Sequence, residues 1–339
     1  MHPWNQAHFT RLMADRSRLP HALLLHGPAG VGKLELSRAL AQGLLCEQPG
    51  PQGQACGVCD ACNWFEQGNH PDFRLLQPGE AEAESAGDEP ATGAESGKVV
   101  KRALPIIKVD SVRTLTRFTQ LSTHRGGWRV AIIEPAEAMN GEAANALLKT
   151  LEEPPAGVLL ILVTHRIGRL LPTVLSRCRK IHVGLPGTAE ALAWLESAGL
   201  ANAAPLLAEA GGAPLVAMAY GEDEHISLRD EFLDQLASGP ALDACSLAQG
   251  LKGNHDRVWG WLLRWVLDLM NQRLAGQPRY FVLRSRQTAG LAEKLDLAAL
   301  LHFHRELLEA GRWLRHPLNS QLLIESWLVR YLQLTGGRA

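Results

Sequence analysis

The sequence predicts an α/β module followed by an all-helical remainder. Three observations carry this expectation. Short apolar runs, Ala22 to His26, Val130 to Ile133 and Val158 to Val163, alternate with helix-patterned stretches in the first half of the chain. Such alternation points to a parallel sheet with helices on both faces. The first run ends in a glycine-rich loop, Gly27-Pro-Ala-Gly30-Val-Gly32-Lys33. From about residue 229 the strand signal is gone and apolar residues recur at helical spacing.

Taken in order, the run at 22–26 reads as a buried strand, and Leu34 to Leu45 as the helix after the loop. Residues 46–62 are rich in Cys, Gly and Pro and show neither period. Phe73, Leu75 and Leu76 suggest a further strand. Residues 79–98 are acidic and small, with no large apolar group to offset chain entropy, so they read as a mobile surface insertion. Asp110 suits the N-cap of a helix carrying Val112, Leu115, Phe118 and Leu121. A helix through Glu142 to Leu151 is stopped by Pro154-Pro155. A short helical piece around Leu170 to Leu175 precedes Ser176-Arg177-Cys178 and a strand at 180–183. Residues 188–220 suggest two or three small helices broken by Gly199 and Gly211-Gly212. Arg257 to Leu274 and Ser320 to Leu334 then carry Trp-rich stripes, read as core packing before partner contacts.

Composition excludes several classes. With 339 residues, several domains are expected. The 34 Lys+Arg and 35 Asp+Glu leave a net charge of −1, so no global positive field drives nucleic-acid coating. The most apolar stretch, residues 157–164, is too short to cross a bilayer. The first residues show no secretion signal, and a cytoplasmic location is expected.

The loop at 27–33 fits the G-x-x-x-x-G-K pattern, in which glycines let backbone amides converge on phosphates and the lysine reaches the outer ones. The next position normally carries a magnesium-ligating hydroxyl, but here it is Leu34. The second strand continues Glu134-Pro135-Ala136-Glu137. Glu134 could serve as the metal-side acid, while Pro135 stands where a P-loop ATPase places its catalytic base. Two catalytic parts are therefore missing from one site, and magnesium-dependent hydrolysis is not expected. Use of Glu137 as a substitute base would require a shift along the chain. Whether ATP, ADP or no nucleotide occupies the loop stays open.

Cys46, Cys56, Cys59 and Cys62 supply four thiolates within 17 residues. In a reducing compartment this spacing suits a closed structural Zn(II) site, preferred over an iron–sulfur cluster because nothing else suggests redox work. His70 reads as a packing or surface residue, and Cys178 and Cys245 as buried bystanders. Arg177, with Arg166, Arg169, Arg179 and Lys180 around it, could reach a phosphate of a neighbouring subunit.

Together these residues resemble the clamp-loader AAA+ family. The resemblance rests on Leu19 to Gly27, the four-cysteine module, Ile107-x-Val109-Asp110, Asn145 to Pro155, Thr164, Leu175 to Cys178 and Asn319 to Glu325, and covers nearly the whole chain. It implies a RecA-like P-loop module with a zinc insert over 1–186, a helical lid over 187–228 and an all-α collar over 229–339. It also implies assembly with tau/gamma ATPase subunits and a delta subunit into a pentamer that loads a sliding clamp onto primed DNA. By resemblance, Arg177 is an arginine finger acting in trans, and Thr164 holds the sensor-1 position. Gly27, Gly30, Gly32, Lys33, Glu134 and Thr164 outline a degenerate nucleotide site. Leu34, Pro135 and the arginine-free segment Gly212 to Val216 place the chain among the family's non-motor members. Lys33 departs in the opposite direction, completing the loop. The alternatives are an active motor subunit and a zinc-dependent nucleic-acid-binding module.

Overall fold

Each of the three apolar runs becomes a strand, and two further strands join them. β1 (Ala22–His26), β2 (Phe73–Leu76), β3 (Arg129–Ile133), β4 (Val158–Thr164) and β5 (Arg179–His182) form one sheet in the order β2-β3-β4-β1-β5. All pairings are parallel, with Ala22 opposite Leu160 and Val130 opposite Leu159. The structure is a computed structural model that describes residues 1–79, 106–124, 127–223, 226–312, 314 and 319–336. The acidic stretch expected at 79–98 lies, beyond its first residue, outside the described residues.

Two compact units divide the chain, Met1–Pro186 and Gly187–Ala339. In the first, side chains alternate across the sheet, as strand geometry requires. Leu23, Leu25, Ile132, Leu159 and Ile161 face α1 (Gln6–Ala14), α2 (Lys33–Leu45) and α3 (Asp60–Glu66), meeting Phe9, Leu36, Leu40 and Phe65. Ala22, Leu24, Ile133, Leu160 and Leu162 face the other way. They pack under α4 (Val109–Gln120), α5 (Gly141–Glu152) and α6 (Pro172–Leu175), against Val112, Leu147, Leu151 and Val174. Each fully buried leucine contributes about 1.5–3 kcal/mol of transfer free energy. The outer strand β5 carries exposed Arg179 and Lys180, which discourage edge pairing with another chain.

Local chemistry sets the ends of these elements. Asn140 caps α5 by accepting from the Ala143 amide at 2.8 Å. α4 starts at Val109 with Lys108 at its cap, so Asp110 is not the N-cap expected from its residue type. It sits in the first turn instead, where its charge suits the helix dipole and pairs with Arg113 at 3.3 Å. The cysteine-rich segment is not wholly irregular either. Its last residues enter α3, whose cap is Cys59.

The regular elements among the described residues of the second unit are all helices, and they enclose two cores. α7 (Thr188–Ser197), α8 (Ala203–Glu209) and α9 (Pro214–Gly221) gather around Leu195, Leu206, Leu207 and Ala217. The larger core joins α10 (Ile226–Ala237), α11 (Ala244–Gly250), α12 (His255–Ala275), α13 (Ser285–Ala292), α14 (Leu297–Ala310) and α15 (Ser320–Thr335). Trp261, Trp265 and Trp327 are buried in it. Trp265 Nε1 donates to the Tyr331 hydroxyl at 3.0 Å, and that hydroxyl donates to the Leu236 carbonyl at 2.9 Å. Cys178 is buried as expected, but Cys245 is exposed. Ala244 and Ala248 take the buried face of α11, which turns Cys245 outward. Among the described residues no helix is long and apolar enough to cross a membrane.

Candidate functional site

The carboxyl ends of the strands gather the predicted site, as in open parallel sheets generally. β1 ends at His26, and the chain turns through the glycine loop into α2. Gly27 has no room for a side chain, because a Cβ would collide with the Val183 carbonyl oxygen. Gly32 is left-handed, with φ of +78°, and a Cβ there would strike the His2 ring. The first residues of the chain brace the loop from outside. Asn5 Nδ2 donates to the Val31 and Gly32 carbonyls at 2.9 and 3.1 Å, and Trp4 Nε1 donates to Val31 at 3.0 Å.

Lys33 is only 2% exposed. Its ammonium does not project outward but turns back into the loop, donating to the Gly27 carbonyl at 3.0 Å and to the Pro28 carbonyl. Burial pushes its pKa down to about 8, against the opposing pull of Glu137, Glu134 and Glu35. Leu34 packs toward the apolar core and offers no oxygen to a cation.

Glu134 follows β3 and is already engaged. Gln77 Nε2 donates to its Oε2 at 2.7 Å, and His165 Nε2 lies 3.5 Å from Oε1. The hydrogen bond from His165, then that from Gln77, holds this carboxyl below the usual range despite partial burial. Glu137 Oε1 accepts from the His165 amide at 3.0 Å, while its Oε2 is buried with no hydrogen-bond partner among the described residues. Thr164 is fully buried at the end of β4, opposite His26, with its hydroxyl accepting from the Arg166 amide at 3.1 Å. Lys33 thus shares its surroundings with two carboxylates, and Pro135 between them offers no proton acceptor. On the other side of the loop, His26 and His182 lie 5.2 Å apart between ring centroids. Burial, then His182, Lys180 and Lys33, pushes the His26 pKa down.

The four predicted cysteines come together. Their sulfurs all lie within 4.8 Å of one another, with Cys46 and Cys59 at 3.9 Å and Cys56 and Cys62 at 4.0 Å. Sulfurs placed about 2.3 Å from a central zinc are separated by about 3.8 Å, so the set fits a tetrahedral ion. Backbone amides already point at the sulfurs. Cys56 N donates to Cys46 Sγ at 3.2 Å, Cys59 N to Cys56 Sγ at 3.4 Å, and Cys62 N to Cys59 Sγ at 3.4 Å. The amides of Val58 and Cys59 lower the Cys56 pKa to about 6, whereas burial raises that of Cys62 to about 12. Such a divided set becomes uniformly thiolate only when a cation supplies the balancing charge. His70 lies beneath Trp64 as a buried packing residue, in edge-on contact at 6.2 Å.

Arg177 stands at the surface just beyond α6. Its Nη2 lies 2.6 Å from Glu152 Oε1, and Nη1 donates to the Thr173 carbonyl at 2.9 Å and the Ser176 hydroxyl at 3.3 Å. Sequence reasoning did not single out Gln77, His165, Asn5 or Glu152. His165 directly follows Thr164, and Glu152 lies within the recognised string Asn145 to Pro155, but their pairings join residues far apart in the chain. A cavity of about 1030 Å³ lies not at the glycine loop but in the second unit, lined by Glu209, Arg229, Tyr280 and Leu283 among others.

A parallel α/β module with a glycine loop, a four-cysteine insert and a helical C-terminal unit is the architecture of an AAA+ clamp-loader subunit. The family model described as DNA polymerase III, delta subunit matches residues 5–185, and that described as DNA polymerase III, delta subunit, C terminal matches residues 223–333. DNA polymerase III subunit delta' of Pseudomonas aeruginosa is 34% identical, with 99% of this chain and 98% of the relative covered. The Escherichia coli subunit delta' is 32% identical over 98% and 96% of the two chains. DNA polymerase III subunit tau of Salmonella typhimurium is 37% identical, but over 49% of this chain and 22% of that one. The chain belongs to the delta-prime family of DNA polymerase III clamp-loader subunits.

Proposed function

We propose that the protein is a non-hydrolysing scaffold of the clamp loader, which supplies Arg177 to ATP bound by a neighbouring tau/gamma-type subunit. Residues 187–228 would act as the helical lid and 229–339 as the collar that holds the assembly together. The partners are the tau/gamma ATPase subunits and a delta subunit, and through them the sliding clamp and primed DNA. The chain then serves a DNA-directed DNA polymerase holoenzyme, a nucleotidyltransferase, without turning over ATP itself.

The observation that carries this reading is the chemistry of the glycine-loop site. Leu34 and Pro135 remove the magnesium ligand and the base, the Lys33 ammonium is spent on loop carbonyls, and Glu134 is held by Gln77 and His165. Positioned cations are the main catalytic resource in phosphoryl transfer, and an arginine from a neighbour contributes strongly. Arg177 suits that role, because its backbone is fixed by buried Val174 and Cys178 while its side chain reaches the surface. The cysteine set holds structural Zn(II) and stabilises residues 46–66 rather than entering the chemistry.

ATP turnover is the test. The purified chain should show none, and Arg177→Ala should leave the reconstituted complex intact while lowering its DNA-stimulated ATPase at least tenfold. Turnover by the isolated chain, lost on Lys33→Ala, would make it a motor instead.

A further inference from the structure

We infer that Glu152 is a latch that parks Arg177 when no neighbouring triphosphate is engaged. This inference rests on the finger role proposed above and adds a residue that regulates it. The Arg177 side chain is not extended away from the end of α6. Its Nη1 folds back onto the preceding turn, donating to the Thr173 carbonyl at 2.9 Å and the Ser176 hydroxyl at 3.3 Å, while Nη2 meets Glu152 Oε1 at 2.6 Å. Of these three partners Glu152 alone carries a charge, so it sets which way the guanidinium faces.

The two sides of the latch are held by one core. Glu152 is the last residue of α5, one position after buried Leu151, and Arg177 lies between buried Val174 and Cys178. Leu151, Val174 and Cys178 belong to the same apolar cluster. The backbones are therefore fixed and the side chains are free to exchange partners, since both remain substantially exposed, Arg177 at 34% and Glu152 at 48%. A carboxylate oxygen occupies the place on the guanidinium that a phosphate oxygen takes during catalysis. A triphosphate carries more charge than a carboxylate and displaces it, but only when it is brought within reach. The parked state thus competes with the catalytic one, and its population falls as the complex closes. An exposed pair of this kind biases such an equilibrium modestly, within about fivefold.

The test uses the full complex reconstituted with this chain carrying Glu152→Ala, Glu152→Gln, Arg177→Ala or both changes. ATPase is measured with and without primed DNA, and assembly is followed by mass. Glu152→Ala should raise the DNA-free rate two- to fivefold and leave the DNA-saturated rate within twofold of wild type. Glu152→Gln, which keeps the shape but not the charge, should fall between. Neither change should have any effect in the Arg177→Ala background, a result that a merely structural role for Glu152 would not give. An unchanged or lowered DNA-free rate in Glu152→Ala, with Arg177→Ala still impairing DNA stimulation, overturns the latch and leaves the finger standing. Full DNA stimulation in Arg177→Ala overturns the finger, and the latch with it.

Discussion

The Lys33 ammonium donates to the carbonyl oxygen of Gly27, the first glycine of its own loop, at 3.0 Å. The loop that could cradle an anion is therefore closed by the residue that would contact it. Burial has lowered the Lys33 pKa from 10.5 to about 8, so the unfolded chain binds more protons than the folded one between those values. Stability from this group is complete above about pH 10.5 and is lost as pH falls through about 8. Relative to Lys33→Met, the wild type should gain up to roughly 3 kcal/mol between pH 7 and pH 10.5. Paired denaturant titrations across that range would show it, and parallel curves would refute it. In the reconstituted complex, Lys33→Met should leave clamp-loading activity within twofold of wild type, whereas a motor would lose nearly all of it.

The cysteine set predicts a metal bound to every folded chain. Metal analysis should find about one zinc per chain, and Cys56→Ser with Cys59→Ser should remove it. Because a structural zinc contributes folding free energy directly, chelation should lower the melting temperature and first expose residues 46–66 to proteolysis. ATPase of the assembled complex should survive chelation as long as the subunit stays folded. A loss of activity at unchanged stability would assign the metal a chemical role.

Much of this organisation was legible from local pattern. The strands at 22–26, 130–133 and 158–163 were readable because parallel strands buried on both faces leave continuous apolar runs. The cysteines were readable because ligand spacing is local. Asp110 misled because residue type favours it as a cap, while the isolated pairing of Ile107 with Met139 brings the chain into the helix two residues earlier. Cys245 misled because a lone cysteine carries no sign of which helix face it occupies. What stayed hidden was contact across the chain. The bracing of the loop by Asn5, the Gln77–Glu134 bond and the Glu152–Arg177 pair join residues separated by 26, 57 and 25 positions. No periodicity registers such partners.

Asp72 and Arg129 show what those long-range contacts add to stability. Their side chains are each 4% exposed, and Arg129 Nη2 meets Asp72 Oδ1 at 2.6 Å. Arg129 also donates to the carbonyls of Phe118, Leu121 and Ser122, while Asp72 accepts from the His124 amide. The pair thereby ties β2 and β3 to the segment that follows α4. Removing one partner leaves a buried charge and several unpaired carbonyls, so Arg129→Met should cost about 3–5 kcal/mol. The double variant Asp72→Asn/Arg129→Met should recover part of that loss, because the buried charge is gone. Thermal or urea unfolding measures both, and a cost below about 1 kcal/mol for Arg129→Met would show the network to be dispensable.

Glu209 and Arg229 give the second unit a comparable contact with a pH signature. Arg229 Nη1 lies 2.6 Å from Glu209 Oε2, with side-chain exposures of 13% and 7%. The pair links α8, in the smaller core, to α10, in the larger one. Burial raises the Glu209 pKa above its ordinary value, and Arg229 opposes that rise. An acid whose folded pKa is raised stabilises the fold below its unfolded value, and that contribution is lost as pH rises through the folded pKa. Arg229→Met removes the opposing charge and moves the folded pKa higher still. At pH 7 the variant must either bury an unpaired carboxylate or protonate it, at a cost of about 3–5 kcal/mol. At pH 5 more of the proton is already supplied by solvent, so the cost should shrink. Melting temperatures of Arg229→Met should therefore approach those of wild type as pH falls from 7 to 5. Adding Glu209→Gln should flatten that pH dependence, since the titrating group is then absent. A deficit that stays constant with pH in Arg229→Met would mean that lost packing of the arginine stem, not the stranded carboxylate, is what destabilises the unit.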